Sequence, residues 1–179
     1  SLKLQNIADI LGSNNPLHTP EITINDLLLD SRKYNFQNQV LFFALKGENH
    51  TGEDYVEELY TKGLRNFVVS NLPNQNLPEE NFIIVQDVKV ALQELAAEIR
   101  KQSLPKLIAI TGSNGKTVVK EWLYQILSSE LNIVKSPKSY NSQVGVPLSV
   151  WRSERENDLG IFEAGISQPG EMLKLEKIL

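Results

Sequence analysis

The segment that most constrains this chain is residues 111–117, which read Thr-Gly-Ser-Asn-Gly-Lys-Thr. It follows an apolar run at residues 107–110 that predicts a buried strand, and it precedes a run with apolar residues at helical spacing. Four apolar residues are expected on the inner face of that helix: Val119, Leu123, Ile126 and Leu127. Strand, glycine-rich turn and helix in this order are typical of a phosphate-binding loop in an α/β domain with parallel strands.

The residue types of this loop suit a polyphosphate. Gly112 and Gly115 permit positive φ, so backbone N–H groups can turn towards an anion, and the helix N-terminus adds free donors. Lys116 would neutralise the β- and γ-phosphates, and the hydroxyl of Thr117 would bind Mg²⁺. The predicted ATP-binding residues are Gly112, Ser113, Asn114, Gly115, Lys116 and Thr117. The usual pattern has a further glycine where Ile110 stands, so an ordinary turn with an exposed lysine remains the alternative.

Composition excludes several classes of protein. Eighteen Lys and Arg against 22 Asp and Glu give a net charge of -4, which is a poor match for nucleic acid. No cysteine is present, which removes disulfides, thiolate metal sites and cysteine nucleophiles. The longest apolar run, residues 40–45, is far below the ~20 residues of a membrane-spanning helix. The chain opens without a charged and then apolar leader, so we expect a cytoplasmic protein that binds neither membrane nor nucleic acid.

The pattern of apolar residues predicts two domains. Strands are predicted at residues 40–45, 67–69 and 82–85, and Asp87 is expected to cap a long helix. That helix should end at Gln102-Ser103-Leu104-Pro105, because proline removes a backbone donor, so the domains are predicted as 1–102 and 103–179. Pro169 is a candidate first residue of a helix that runs to the end of the chain. The absence of a stop signal there suggests a piece of a longer protein.

Several strings resemble the Mur ligases, the ATP-dependent enzymes that extend the peptide on the muramic acid precursor of peptidoglycan. In the second half they are residues 111–117, 139–147 (Ser-Tyr-Asn-Ser-Gln-Val-Gly-Val-Pro) and 163–171 (Glu-Ala-Gly-Ile-Ser-Gln-Pro-Gly-Glu). In the first half, Asp30-Ser31-Arg32 and 41–47 (Leu-Phe-Phe-Ala-Leu-Lys-Gly) are similar to the family's UDP-substrate domain. The resemblance implies a small mixed α/β UDP-substrate domain, followed by the first part of a P-loop, mostly parallel α/β ATP-binding domain.

The resemblance also implies a reaction: ATP-dependent ligation of D-alanyl-D-alanine to UDP-N-acetylmuramoyl-tripeptide through an acyl phosphate, with Mg²⁺. Lys116 and Glu163 would be catalytic, and Thr117 and Glu163 would hold the metal. The implied substrate-binding residues are Ser31, Arg32, Lys46, Gly47, His50 and Asn141. Three alternatives stay open: a solvated carboxylate at Glu163, a turn-forming amide at Asn141, and a capped turn with a surface ion pair at residues 31–32. Where the family often has Asp-Gly-His, this chain has Thr-Gly-Glu at residues 51–53.

Two other functions compete with this one. A folylpolyglutamate-type or cyanophycin-type ligase would share the ATP module but lack a UDP-binding first domain, and a non-catalytic nucleotide-binding module would tolerate loss of Glu163. By resemblance, the parent chain would continue with the rest of the central domain and a C-terminal domain. Residues 139–147 and 163–171 also resemble a version fused to an alanine racemase. The 179 residues alone are therefore not expected to turn over substrate.

Overall fold

The computed structural model describes residues 1–47, 52–73, 77–138, 140–154, 156–165 and 170–179. The chain divides into two compact units, residues 1–92 and 93–179. This division falls inside the long helix of residues 88–103, whereas the sequence-predicted boundary, 102/103, lies at the end of that helix.

The first unit is mixed α/β. Its elements are β1 (Leu2–Lys3), α1 (Leu4–Ile10), β2 (Thr23–Ile24), β3 (Asp26–Leu28), β4 (Val40–Phe43), α2 (Val56–Thr61), β5 (Asn66–Val69), β6 (Asn81–Ile84) and α3 (Val88–Ser103), which continues into the second unit. Strands β3, β4, β5 and β6 form a four-stranded sheet in that order, and every pair is parallel. Parallel pairing is predicted from the strand, loop and helix order of the second half; for the first half the sequence predicts only a mixed α/β fold. Strands β1 and β2 form a separate antiparallel pair.

A row of phenylalanines holds this sheet together. Phe42, Phe67 and Phe82 lie opposite one another on β4, β5 and β6. The rings of the first two meet edge to face with centroids 6.5 Å apart, and the rings of the last two are 5.5 Å apart. Such aromatic pairs add to the stability that burial alone gives. All three side chains are buried, as the apolar runs predict.

Helix α3 begins with the side-chain cap that the sequence predicts at Asp87. One carboxylate oxygen of Asp87 accepts hydrogen bonds from the backbone N–H groups of Lys89 (2.8 Å) and Val90 (3.0 Å). These donors have no partner within the helix, so the side chain satisfies them. The predicted cap is confirmed.

The second unit is built round a smaller sheet. Besides the rest of α3, its elements are β7 (Leu107–Ile110), α4 (Lys116–Leu127), β8 (Ile133–Lys135), α5 (Gly145–Trp151), β9 (Leu159–Glu163) and α6 (Glu171–Ile178). The strand order is β7-β9-β8, with both pairs parallel. Strand β9 is therefore central, and all five of its residues are buried. The carboxyl end of this strand is where an open α/β sheet binds ligands.

Two expectations about burial in this unit are wrong. Strand β7 is predicted to be buried, yet Ala109 is exposed and the other three residues are only half-buried. The apolar face predicted for α4 is not an inner face either: Val119 and Ile126 are exposed, the latter at 70%. The buried residue of α4 is Lys120, because the side of the helix that faces β9 carries polar residues that meet the strand end.

No helix among the described residues is long and apolar enough to cross a membrane.

Candidate active site at the end of the central strand

The loop between β7 and α4 has the backbone conformation that its glycines predict. Gly112 has φ +139° and Gly115 has φ +78°, both in the region that side chains disfavour. Gly115 is also the N-cap of α4, so the first turn of that helix starts at Lys116. A left-handed residue placed directly before a helix turns the loop back over the free N–H groups of the helix. The predicted positive φ at both glycines is confirmed.

The side chain of Lys116 lies across this loop. Its ammonium donates to the carbonyl oxygen of Gly112 at 2.6 Å, and the residue is half-buried while Gly112 to Gly115 are exposed. The cation is thus held at the mouth of the loop, within reach of any anion that the loop binds. This geometry differs from the alternative of a freely exposed lysine.

Glu163 is the last residue of β9, and its side chain is 1% exposed. Its Oε2 accepts a hydrogen bond from Thr117 Oγ1 at 3.1 Å, and its backbone N–H donates to Ser136 Oγ at 2.8 Å. The carboxylate is therefore buried and directed at the first turn of α4. The alternative of a solvated carboxylate does not describe this residue.

Sequence reasoning missed Lys120, which is the second charged partner of this carboxylate. Its side chain is 0% exposed, and its Nζ donates to Glu163 Oε1 at 2.9 Å and to the backbone carbonyl of Lys138. Lys120 lies three residues after Thr117 on α4, a spacing that puts two side chains on one face of a helix. The three-residue spacing from Thr117, a predicted metal ligand, is the sequence feature that would have predicted a role for Lys120.

The loop that carries Asn141 comes to the same strand end. The backbone carbonyl of Asn141 accepts from the N–H of Gly165 at 2.7 Å. A Cβ on Gly165 would lie 2.7 Å from the Asn141 side-chain carbonyl carbon, so a larger residue there would displace the Asn141 side chain. Asn141 is thereby placed beside the segment that follows Glu163. Ser139 and residues 166–169, including Pro169, lie outside the described residues.

The oxygen atoms of Thr117 and Glu163 could hold Mg²⁺ only together with further oxygen ligands from a nucleotide or from water. Thr117 and Glu163 supply a hydroxyl and a carboxylate, which are hard oxygen ligands of the kind this ion prefers. Among the described residues, no group of three or more His, Cys, Asp or Glu side chains is placed to hold a metal ion by itself. Magnesium commonly takes one or two protein oxygens and completes its shell with phosphate oxygens and water. The pair therefore suits a metal that arrives with a nucleotide.

In the first unit, Ser31 and Arg32 form a capped turn after β3. Asp30 accepts from the backbone N–H of Arg32 at 3.1 Å, and its two oxygens accept from the guanidinium at 2.9 and 2.8 Å. The hydrogen bond from this guanidinium lowers the pKa of Asp30 to about 2. The Arg32 side chain is 86% exposed. The structure thus has the surface ion pair that was the alternative to a phosphate contact, while Ser31 is buried.

Lys46 and Gly47 follow β4 and are exposed. Because β3 and β4 are parallel neighbours, these residues and Ser31 follow strand ends on the same edge of the sheet. The chain then returns close to β4: a Cβ on Gly52 would lie 2.3 Å from the Ala44 carbonyl carbon, so glycine is required there. His50, the remaining predicted substrate residue, lies outside the described residues.

Residues 110–179 match the Mur ligase middle domain. The UDP-N-acetylmuramoyl-tripeptide–D-alanyl-D-alanine ligase of Escherichia coli is 35% identical over 172 residues, which are 96% of this chain. The chain belongs to the Mur ligase family. The ligase of the same name from Borreliella burgdorferi is 37% identical over 160 residues, or 84% of this chain.

Solved Mur ligase structures share the fold. A structure of UDP-N-acetylmuramoylalanyl-D-glutamyl-2,6-diaminopimelate–D-alanyl-D-alanyl ligase from Acinetobacter baumannii has a TM-score of 0.86 at 28% identity and covers 98% of this chain. The MurF ligase of Thermotoga maritima, solved in complex with ADP, has a TM-score of 0.73 at 26% identity over 86% of this chain. The chain spans only part of each relative: 36% of the E. coli ligase, 34% of the B. burgdorferi ligase, and 39% and 35% of the two solved chains.

Residues 51–53 depart from the Mur ligase pattern, and the last of them, Glu53, has a structural role in this chain. The Glu53 carboxylate accepts from the backbone N–H of Ser70 (3.0 Å), the Ser70 hydroxyl (2.6 Å) and the N–H of Asn71 (2.9 Å). Burial raises the pKa of Glu53, but these hydrogen bonds outweigh it and the net direction is down. Glu53 therefore anchors the turn before α2 to the end of β5. Thr51 lies outside the described residues.

Proposed function

We propose that this chain is part of an ATP-dependent ligase that joins D-alanyl-D-alanine to UDP-N-acetylmuramoyl-tripeptide in peptidoglycan precursor synthesis. Residues 1–102 would form the UDP-substrate domain, and residues 103–179 the first part of the ATP-binding domain. The names of the relatives support this assignment, as does the ADP complex of the T. maritima ligase. The chain covers about a third of these relatives, so the whole activity belongs to a longer parent enzyme.

One observation carries the proposal: the phosphate loop and a buried acidic strand end meet through Thr117 and Glu163, at 3.1 Å. A loop that only closes a turn has no need to bring a hydroxyl against a buried carboxylate. Taking a carboxylate out of water is costly unless it is paired, and Lys120 pairs with Oε1 of Glu163 while Oε2 is directed at Thr117. A nucleotide site that works with a divalent ion gives both residues a role.

The proposed reaction gathers negative charge at one place. A carboxylate oxygen of the tripeptide attacks the γ-phosphorus of ATP, and ADP leaves with the electron pair of the broken P–O bond. The amine of D-alanyl-D-alanine then attacks the acyl carbon, phosphate leaves, and the amine loses a proton. Lys116 and the backbone N–H groups of the loop would hold the β- and γ-phosphates throughout. When bound, Mg²⁺ would neutralise charge on the transferring phosphoryl group.

The other residues would bind and orient the two substrates. Asn141, beside the segment after Glu163, would face the γ-phosphate or the tripeptide carboxylate. In the first unit Ser31, Arg32, Lys46 and Gly47 would hold the UDP end, with His50 as the sixth proposed contact. Arginine suits a bidentate phosphate contact. For that contact the guanidinium of Arg32 must exchange its ion pair with Asp30 for the diphosphate, and an exposed pair costs little to break.

Two assays test this function. The parent enzyme, given UDP-N-acetylmuramoyl-tripeptide, ATP and D-alanyl-D-alanine, should release one phosphate per peptide bond formed, whereas the 179 residues alone should form no product. The chain should also bind UDP, and the Arg32→Gln variant should bind it less tightly. Ligation of glutamate to a folate, with no affinity for UDP, would overturn the assignment in favour of a folylpolyglutamate-type ligase. Nucleotide binding with no ligation by the parent would indicate a non-catalytic module.

A further inference from the structure

Three elements of the second unit converge on the ammonium group of Lys120. The side chain starts on α4, contacts Glu163 at the end of β9, and donates to the backbone carbonyl of Lys138 in the loop after β8. It is completely buried, as is the carboxylate that it contacts. Glu121 Oε1 lies 3.5 Å from the same ammonium but is 40% exposed and also pairs with Lys135.

The two oxygens of Glu163 have different partners. Oε1 accepts from Lys120, and Oε2 accepts from the hydroxyl of Thr117. A carboxylate held in this way cannot rotate without losing a charged hydrogen bond in a buried place, which is costly. Lys120 therefore fixes which oxygen faces the phosphate loop.

The pair is also neutral as a unit. A divalent ion that approached Thr117 without a nucleotide would meet one hydroxyl and one oxygen of a carboxylate whose charge Lys120 already balances. Mg²⁺ gives up its water reluctantly and needs strong oxygen donors in return. Nucleotide phosphates add the negative charge that this pair lacks.

We propose that Lys120 is a positioning residue that makes metal binding at Glu163 conditional on the nucleotide. Its ammonium holds the carboxylate with one oxygen directed at Thr117 and cancels the charge that would otherwise attract a free divalent ion. The metal then enters together with the phosphates, so the site does not fill with a metal ion before ATP arrives. This inference rests on the metal role proposed for Glu163.

Mn²⁺ is a paramagnetic substitute for Mg²⁺ and allows the test by electron paramagnetic resonance on the full chain. Wild type should bind Mn²⁺ no better than the Glu163→Gln variant when ADP is absent, and clearly better when ADP is present. In Lys120→Met, which keeps the length of the side chain but not its charge, Mn²⁺ affinity without ADP should rise about tenfold or more. The double variant Lys120→Met/Glu163→Gln should return to the wild-type value. Lys101→Met, which removes an exposed charge, serves as the control and should change nothing.

A merely structural lysine would lower thermal stability without creating nucleotide-independent metal binding. The inference is overturned if folded Lys120→Met binds Mn²⁺ no more tightly than wild type. Should that variant fail to fold, the wild-type titrations decide, because equal Mn²⁺ affinity with and without ADP contradicts the inference. Failure of wild type to bind ADP at all would instead overturn the proposed function, and the inference with it.

Discussion

The two units bury polar side chains for different purposes. In the first unit the buried pair is neutral: Asn81 donates to Asn66 at 2.9 Å and also accepts from the N–H of Thr19 at 2.8 Å. In the second unit the buried pair is charged, Lys120 with Glu163. The amides stand opposite each other on β5 and β6 and tie the sheet to a neighbouring loop. The ions stand at the end of β9 beside the loop at residues 111–117, where the proposed reaction would use charge.

The units also differ in how they cover apolar side chains. The core of the first unit encloses Phe42, Phe67 and Phe82 and the apolar faces of its strands, although Phe36 is 71% exposed. The helix α4 of the second unit instead exposes Trp122 (63%) and Ile126 (70%). A prediction that places every apolar residue in the core is therefore wrong for α4. We therefore expect substitutions of buried side chains to be costly and substitutions on the exposed face of α4 to be tolerated.

The largest stability effect is expected from breaking the charged pair. Glu163→Ala leaves Lys120 buried without its counter-charge and should lower the free energy of unfolding by about 3 to 5 kcal/mol. Urea denaturation measures the change. Glu121→Ala, which removes the more exposed carboxylate near the same lysine, is the control and should cost about 1 kcal/mol or less. Equal small losses in both variants would mean that burial of this pair has no energetic consequence.

The two tryptophans of the second unit should differ in the same assay. Trp151 on α5 is 6% exposed, so Trp151→Ala should cost about 3 kcal/mol through lost burial and a cavity. Trp122→Ala should stay within about 0.5 kcal/mol of wild type, as surface substitutions usually do. A large loss at Trp122 would show that the outer face of α4 is covered in this chain.

The neutral pair of the first unit should give an intermediate effect. Asn81→Leu leaves the N–H of Thr19 and the side-chain oxygen of Asn66 without their partner, at a cost of about 2 kcal/mol. Asn14→Leu, at an exposed position, should be nearly neutral. A cost at Asn81 as large as that of Glu163→Ala would remove the distinction between neutral and charged burial.

The smallest effect is the acid dependence due to Glu53. Its pKa is lowered in the folded chain, so its contribution is present above the unfolded-state value of about 4.3 and is lost as pH falls through the folded value. Glu53→Gln should therefore cost under about 1 kcal/mol at neutral pH and flatten the loss of stability in acid. Urea midpoints measured between neutral pH and pH 3 test this. An unchanged pH profile would mean that the contacts with Ser70 and Asn71 do not form in solution.

Most features that depend on residues close together in the sequence were predicted, whereas features that depend on contacts between distant residues were not. The glycine turn before α4, the Asp87 cap and the parallel strands of the second unit follow from local patterns of glycine, capping residues and apolar runs, and the structure confirms them. Helix α5 was missed, because Pro147 in its first turn and Gly145 at its start read as a loop. Lys120 was missed because a lysine between apolar helix positions is usually solvated. Its burial depends on Glu163, which lies 43 residues away.

The exposure of α4 has a related cause. Helical periodicity in residues 116–127 marks an apolar stripe, but it does not tell which side of the helix meets the sheet. In this chain the side with Thr117 and Lys120 meets β9, because the charged strand end provides partners there. The sequence correctly predicts an apolar stripe along α4, but the prediction that this stripe faces the sheet is wrong.

The central claim is that the loop at residues 111–117 binds nucleotide phosphates beside Glu163. Isothermal titration of the full chain with ADP in the presence of Mg²⁺ tests it most directly, with Lys116→Ala as the matched variant. We predict saturable binding to wild type and about 10- to 100-fold weaker binding to Lys116→Ala, whose folding stability should be nearly unchanged. Absence of binding by folded wild type, or equal affinity in the variant, would contradict the account.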